Sequence, residues 1–216
     1  MLIRKKKSSF VWEYENAFYW FSKYERLEKI VTHYEILKKF DNISGNVFEF
    51  GVFKGVSLIR TLTFLKYLKS NKKVYAFDAF GKFPTKNLTL ESDMFFSKQH
   101  DKSSLGLSND TIKKILDKKQ LYNYRLIKGN VFDTLEKFVK NYKSKISILF
   151  MDLDVYEPTY YVLEKLFSRI SKGGIIIFDN FNIVDGETVA VKKFSKKNKL
   201  KIKYFNSNKK YAVIIK

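Results

Sequence analysis

The chain has 216 residues, a formal charge of +20 and no cysteine, a size that suits one domain with appendages and a substantial core. Disulfides, thiolate zinc sites and thiol nucleophiles are thereby excluded. The basic excess is nearly all lysine, with only Arg4, Arg26, Arg60, Arg125 and Arg169 scattered through it, and since base edges are read best by the arginine fork, it reads as a solvated face and no nucleic acid is expected as partner.

The N-terminal stretch MLIRKKKSSFVWEYENAF starts basic, but Glu13 and Glu15 interrupt its apolar character. No secretory signal is expected, and no run of about 20 apolar residues offers a membrane span. The expected address is the cytoplasm. Residues 1–40 read as a helical extension before a domain spanning 41–216. Within the extension, Trp20, Tyr24, Leu27, Val31, Tyr34 and Leu37 recur every three or four positions, the stripe of an amphipathic helix or helix pair. That stripe is expected to pack on the domain or on a second copy, which makes a homo-oligomer through these helices one expectation.

From Asn46 the pattern alternates. VFEF is a strand, and SLIRTLTFLKYLKS after it a helix. VYAFD (74–78) is a second strand, YRLIK (124–128) a third and ISILFMD a fourth, while DTLEKFVKNY and PTYYVLEKLFSRI read as helices. GGIIIFD (173–179) is a fifth strand and ETVAVKKFSKK a last helix. KIKYF and YAVIIK flank the turn-rich NSNKK and read as a closing antiparallel hairpin. Continuous apolar strands alternating with helices predict an α/β, doubly wound seven-stranded sheet, buried on both faces. Residues 79–123 make an unusually long connection. TIKKILDKKQL is a helix there; residues 81–109 show little periodicity and read as a lid over the carboxyl ends of the strands.

Two groups of residues carry chemistry. Gly51 and Gly55, around Val52, turn the first strand into its helix, where free amides and missing side chains admit a ligand. Asp78 ends the second strand, placed to accept ribose hydroxyls. Gly129 and Val131 follow the third strand, where Val131 or Phe132 can lie on an adenine. A glycine turn with a ribose acid, but without the pyrophosphate spacing G-x-G-x-x-G, suits S-adenosylmethionine. The second group is Asp152 and Asp154, about 6–7 Å apart if the strand stays extended, together with Asp179 and Asn180 on the neighbouring strand end. Hard oxygen donors without histidine or thiolate select Mg2+, or Mn2+ or Ca2+.

VFEFGVFKGVS, VYAFDAFGKFP, KGNVFDTL, MDLDVYEPT and GGIIIFDNF, in this order, resemble the macrocin-type sugar O-methyltransferases over roughly residues 45–195. The resemblance implies a class I methyltransferase sheet and a small-molecule or glycan substrate with vicinal hydroxyls. Glu49, Gly51, Ser57 and Asp78 would contact S-adenosylmethionine, with Val52, Gly55, Gly129, Val131 and Asp152 completing the cofactor set. Asp152, Asp179 and Asn180 would ligate Mg2+, and Asp154 would be the general base. Two departures stand out: Asn180 replaces a frequent second aspartate, and Gly81-Lys82 replaces the usual Glu-Gly. An RNA methyltransferase using the basic surface, or a non-catalytic cofactor-binding relative, are the rival readings. Of the two histidines, His33 is expected on the helical face and His100 in the lid.

Overall fold

The computed structural model describes residues 11–205 and 211–216; the turn expected at 206–210 lies outside them. The apolar runs become β1 (Asn46–Phe50), β2 (Val74–Asp78), β3 (Tyr124–Lys128), β4 (Ile146–Met151) and β5 (Ile170–Phe178), followed by β6 (Lys203–Tyr204) and β7 (Ala212–Ile215). They form one sheet in the order β3-β2-β1-β4-β5-β7-β6. The first five strands run parallel, and β7 lies antiparallel to both β5 and β6. This is the doubly wound sheet with a terminal hairpin that the sequence predicts. All six residues of β4 are buried, because their alternate side chains enter two separate apolar layers, one on each face of the sheet. Strand order reverses between β1 and β4, which opens a crevice at their carboxyl ends.

The helices are α1 (Val11–Phe21), α2 (Tyr24–Phe40), α3 (Val56–Tyr67), α4 (Glu91–Ser103), α5 (Asn109–Lys118), α6 (Val131–Asn141), α7 (Tyr156–Leu166) and α8 (Asp185–Lys197). The N-terminal segment is a helix pair, but only part of the predicted stripe, Leu37 with half-buried Leu27 and Tyr34, faces inward. Trp20, Tyr24 and Val31 are exposed, whereas Thr32, His33, Ile36, Leu37 and Phe40 are buried. His33 Nε2 lies 2.9 Å from Thr61 Oγ1 of α3, so a polar pair fixes α2 against α3 inside the apolar layer. Burial, with Arg60 and Lys29 nearby, pushes the His33 imidazole down to about 3. It is therefore a neutral core residue at ordinary pH.

Two other expectations need correction. The segment 81–109 contains α4, which apolar periodicity could not reveal because its fully buried side chains are Asp93 and Ser97. The helix predicted through Ile170 ends at Leu166, and a short 3-10 turn at Phe167–Arg169 leads into β5 three residues early. Among the described residues, no helix is long and apolar enough to cross a membrane.

Candidate active site

Ladder hydrogen bonding continues one residue past each strand. Gly129 N donates to Asp78 O, Gly51 N to Phe77 O, Asp152 N to Phe50 O and Asp179 N to Met151 O. This continuation sets Asp78, Gly51, Asp152 and Asp179 in a row along the carboxyl edge. Gly51 has φ +91, and a Cβ there would overlap the Asp152 carbonyl. The glycine is thus demanded by the neighbouring strand end as well as by any ligand. Gly55 (φ 78) precedes α3 without a capping side chain, leaving the first amides of α3 free for an acceptor.

Asp78 lines the crevice, but three backbone amides use its carboxylate. Oδ2 accepts from Val52 N at 2.7 Å and Phe53 N at 2.9 Å, and Oδ1 from Phe80 N. Its first task is to brace the glycine turn, which leaves little capacity for ribose hydroxyls. Glu49 differs. It is 1% exposed and neither carboxylate oxygen has a hydrogen-bond partner. Burial pushes its carboxyl up to about 8, and the neighbouring Ser57 hydroxyl opposes the shift without an aligned bond. An orphaned buried acid beside a glycine turn fits a ligand that brings donors, such as an amino group.

A cavity of about 170 Å3 runs over Gly51, Asp78, Gly129, Val131 and Phe132 to Asp152 and Asp154. Phe83 and His100, from the long connection, complete its lining. His100 sits among the rings of Phe53, Phe83 and Phe96. A second cavity of about 500 Å3 meets the first at Gly51 and Asp152 and extends beneath α1 and α2. Glu49, Val52 and Ser57 open onto this second one.

At the acidic end the strand stops at Met151, and Asp154 has φ 63. The two aspartates are therefore not alternate residues of an extended strand; a turn brings them together. Asn180 Nδ2 donates to Asp152 Oδ1 at 2.9 Å and Asp154 Oδ1 at 2.6 Å. Burial, and then the carboxylates of Asp179, Asp154 and Glu187, raise Asp152 well above the usual range. Burial and Asp179 push Asp154 up to about 6.

Two residues of this centre escape sequence reasoning. Glu187 is fully buried in α8; its Oε1 accepts from Asn180 N at 3.0 Å and its N donates to Asp154 O at 3.1 Å. Burial holds its carboxyl near about 8. An acid in the first turn of a helix was the only available signal. Lys29, from α2, places Nζ 2.6 Å from Asp179 Oδ2, and nothing in the sequence links two residues so far apart.

Among the described residues, no group of three His, Cys, Asp or Glu is arranged to hold a metal ion. The donor chemistry nevertheless fits a hard cation: Asp152 and Asp154 share the Asn180 amide, and the nearby Asp179 carboxylate raises both. One cation, the Lys29 ammonium, already sits there.

A model of the macrocin O-methyltransferase family, TylF, matches residues 21–211. The chain belongs to this family. It is accordingly a methyltransferase of class I fold, with S-adenosylmethionine as the methyl donor. Solved structures agree on the fold. The O-methyltransferase NovP is 22% identical, with a TM-score of 0.73 over 88% of this chain and 79% of its own. CalS11, a calicheamicin methyltransferase, is 19% identical, with a TM-score of 0.75 over 98% and 86%. An O-methyltransferase from Bacillus cereus, solved in complex with SAH, is 14% identical, with a TM-score of 0.55 over 99% and 94%. No curated protein matches the sequence.

Proposed function

We propose that this methyltransferase acts on a sugar hydroxyl and uses a divalent cation, Mg2+ or a similar hard ion. The observation that carries the reading is the Asn180 amide bridging Asp152 and Asp154, with Asp179 on the next strand end, beside the place where the two cavities share Asp152. The neighbours support the sugar: CalS11 is described as a TDP-rhamnose 3'-O-methyltransferase. A sugar hydroxyl is a poor nucleophile at neutral pH. When bound, a divalent cation lowers the pKa of a chelated hydroxyl and fixes its direction.

The chain's own residues do the rest. Asp152, Asp179 and Asn180 would hold the cation, with Asp179 exchanging its Lys29 ammonium for it. Asp154 reaches the cavity from a tight turn beside them and is the base that takes the hydroxyl proton. Glu187 holds the Asn180 backbone and the Asp154 carbonyl, which fixes the amide that bridges both aspartates. Glu49, Ser57 and the free amides of α3 receive the amino-acid end of the cofactor. Asp78 keeps the glycine turn in shape, and Gly129 and Val131 border the adenosine. Because the sulfonium methyl is already activated, alignment and charge stabilisation are the protein's main contributions.

The test is a methyl-transfer screen over nucleotide sugars, glycans and glycosylated metabolites, with and without chelator. Transfer to a sugar that stops with chelator and returns with Mg2+ is the expected result. Transfer that ignores chelator removes the metal from the reading, and transfer confined to RNA removes the sugar.

A further inference from the structure

The larger cavity carries positive charge that neither the cofactor nor the metal explains. Four cations line it from three separate elements: Arg26 and Lys29 on α2, Lys54 in the glycine turn, and Arg60 on α3. Lys29 is paired with Asp179. Arg26 and Arg60 make no hydrogen bond or ion pair with any described carboxylate, and Lys54 only overlies the Phe53 ring. The other described arginines are spent elsewhere. Arg169 donates to the Tyr142 and Val139 carbonyls, and Arg125 lies over the Phe138 ring. In a chain that uses lysine almost everywhere, two of five arginines open onto one cavity.

The expected ligands deepen the imbalance. S-adenosylmethionine brings a sulfonium and an ammonium against one carboxylate, a net positive charge. Three acids share the wall: Asp152 and Asp179 are those a metal would neutralise, and Glu49, raised by burial to about 8, faces the cofactor's ammonium. The remaining partner, the substrate, must therefore bring negative charge, and more than one unit of it.

We propose that this cavity binds the diphosphate of a diphosphate-linked sugar, with Arg26 and Arg60 as the principal contacts and Lys54 beside them. The inference rests on the sugar O-methyltransferase reading and narrows its substrate class. The guanidinium fork matches phosphate oxygens two at a time, and such charge-assisted bonds are stronger than neutral ones. The buried His33–Thr61 pair locks α2 to α3, so the two arginines are preorganised on rigid helices. Asp152 and Asp179 line the same cavity, so a diphosphate held by the arginines puts its sugar at the acidic centre. An extended nucleic acid is the poorer match, because the free arginines converge on one cleft instead of tracking a surface.

The test is calorimetric titration with uridine diphosphate and with geranyl diphosphate, in the presence of S-adenosylhomocysteine and at fixed salt. Arg26→Gln and Arg60→Gln should each weaken binding roughly tenfold to a hundredfold, the span of a lost charged hydrogen bond. Lys114→Gln, on α5 and away from the cavity, should leave it unchanged. Binding of either diphosphate that depends on the arginines supports the site, and the tighter ligand names the carrier. Arg26 is exposed on α2, so R26Q carries the test alone if R60Q fails to fold. Equal binding by wild type and R26Q, or no binding of either diphosphate, overturns the proposal. So does an RNA oligomer that binds more tightly through the same arginines. S-adenosylhomocysteine binding, measured separately, keeps the two readings apart: its loss with diphosphate binding intact sinks methyl transfer and leaves the anion site standing.

Discussion

Asn180 donates from one nitrogen to two carboxylates, so the two aspartates share a partner and can still be told apart by mutation. Asp152→Ala removes a charge from the proposed cation site, and Mn2+ affinity measured by calorimetry should fall, with partial rescue of activity by excess metal. Asp154→Asn keeps an oxygen that can accept from Asn180 but cannot take a proton. It should leave Mn2+ and cofactor binding nearly intact and lower kcat by about 10²–10⁴-fold. If it loses metal as severely as D152A, Asp154 is a ligand. Glu49 offers a test by pH. Its carboxyl is raised from 4.5 to about 8 in the folded chain, so between those values the folded state keeps a proton that the unfolded state releases. Stability therefore falls as pH rises through that window, by at most about 1.4 kcal/mol per pH unit for this group. Glu187 adds a slope of the same sign. His33, lowered from 6.5 to about 3, contributes the opposite slope below pH 6.5. Urea unfolding of Glu49→Gln between pH 6.5 and 8 should show a shallower decline than wild type. Matching slopes would mean that Glu49 is ionised when folded.

At the scale of elements, α4 is the piece that the long connection gains. Asp93 Oδ2 accepts from Tyr156 N at 2.7 Å, in the first turn of α7. Gly186 of α8 packs so closely that an added Cβ would overlap the same carboxylate. Thr89 N also donates to Glu157 at 2.7 Å. The roof is therefore pinned to two helices that begin at the acidic edge. Asp93→Ala should speed proteolysis within 81–108, and Gly186→Ala should destabilise the fold by roughly 1–3 kcal/mol through overpacking. Cofactor should slow the wild-type cleavage. Identical cleavage of wild type and D93A would show that Asp93 does not hold α4. The same helix shows what sequence can convey. The five parallel strands were legible because burial on both faces demands unbroken apolar runs, as in Ile146–Met151. The acids at their ends were legible because regular ladder bonding places successive strand ends in one row. Asp93 and Ser97 gave α4 no apolar signature, and the apolar rhythm of Trp20, Tyr24 and Val31 pointed outward while His33 and Thr32 pointed in. Lys29 and Arg26 reach the site only through the packing of α2, which local pattern does not encode.

For the whole molecule, the charge of +20 is unevenly employed: most lysines face solvent, while the free arginines converge. Ligand binding should register globally. S-adenosylhomocysteine at a hundred times its Kd should stabilise the native state by about 2.7 kcal/mol. Asp78→Asn should reduce that shift by loosening the turn that Val52 and Phe53 form, and an unchanged thermal shift would remove Asp78 from the cofactor's support. The order of the sheet has a consequence in time. Asn46 of β1 pairs with Ile146 of β4, a hundred positions further on, whereas β1 and β2 meet across one helix. Closing the longer loop costs more chain entropy, and such non-local pairings slow folding. The strand ends proposed to take the adenosine, on β1, β2 and β3, can be assembled while the nascent chain still lacks β4. Asp152 and Asp179 arrive only with β4 and β5, so a half-folded chain can meet its cofactor before it owns the acids that would use it.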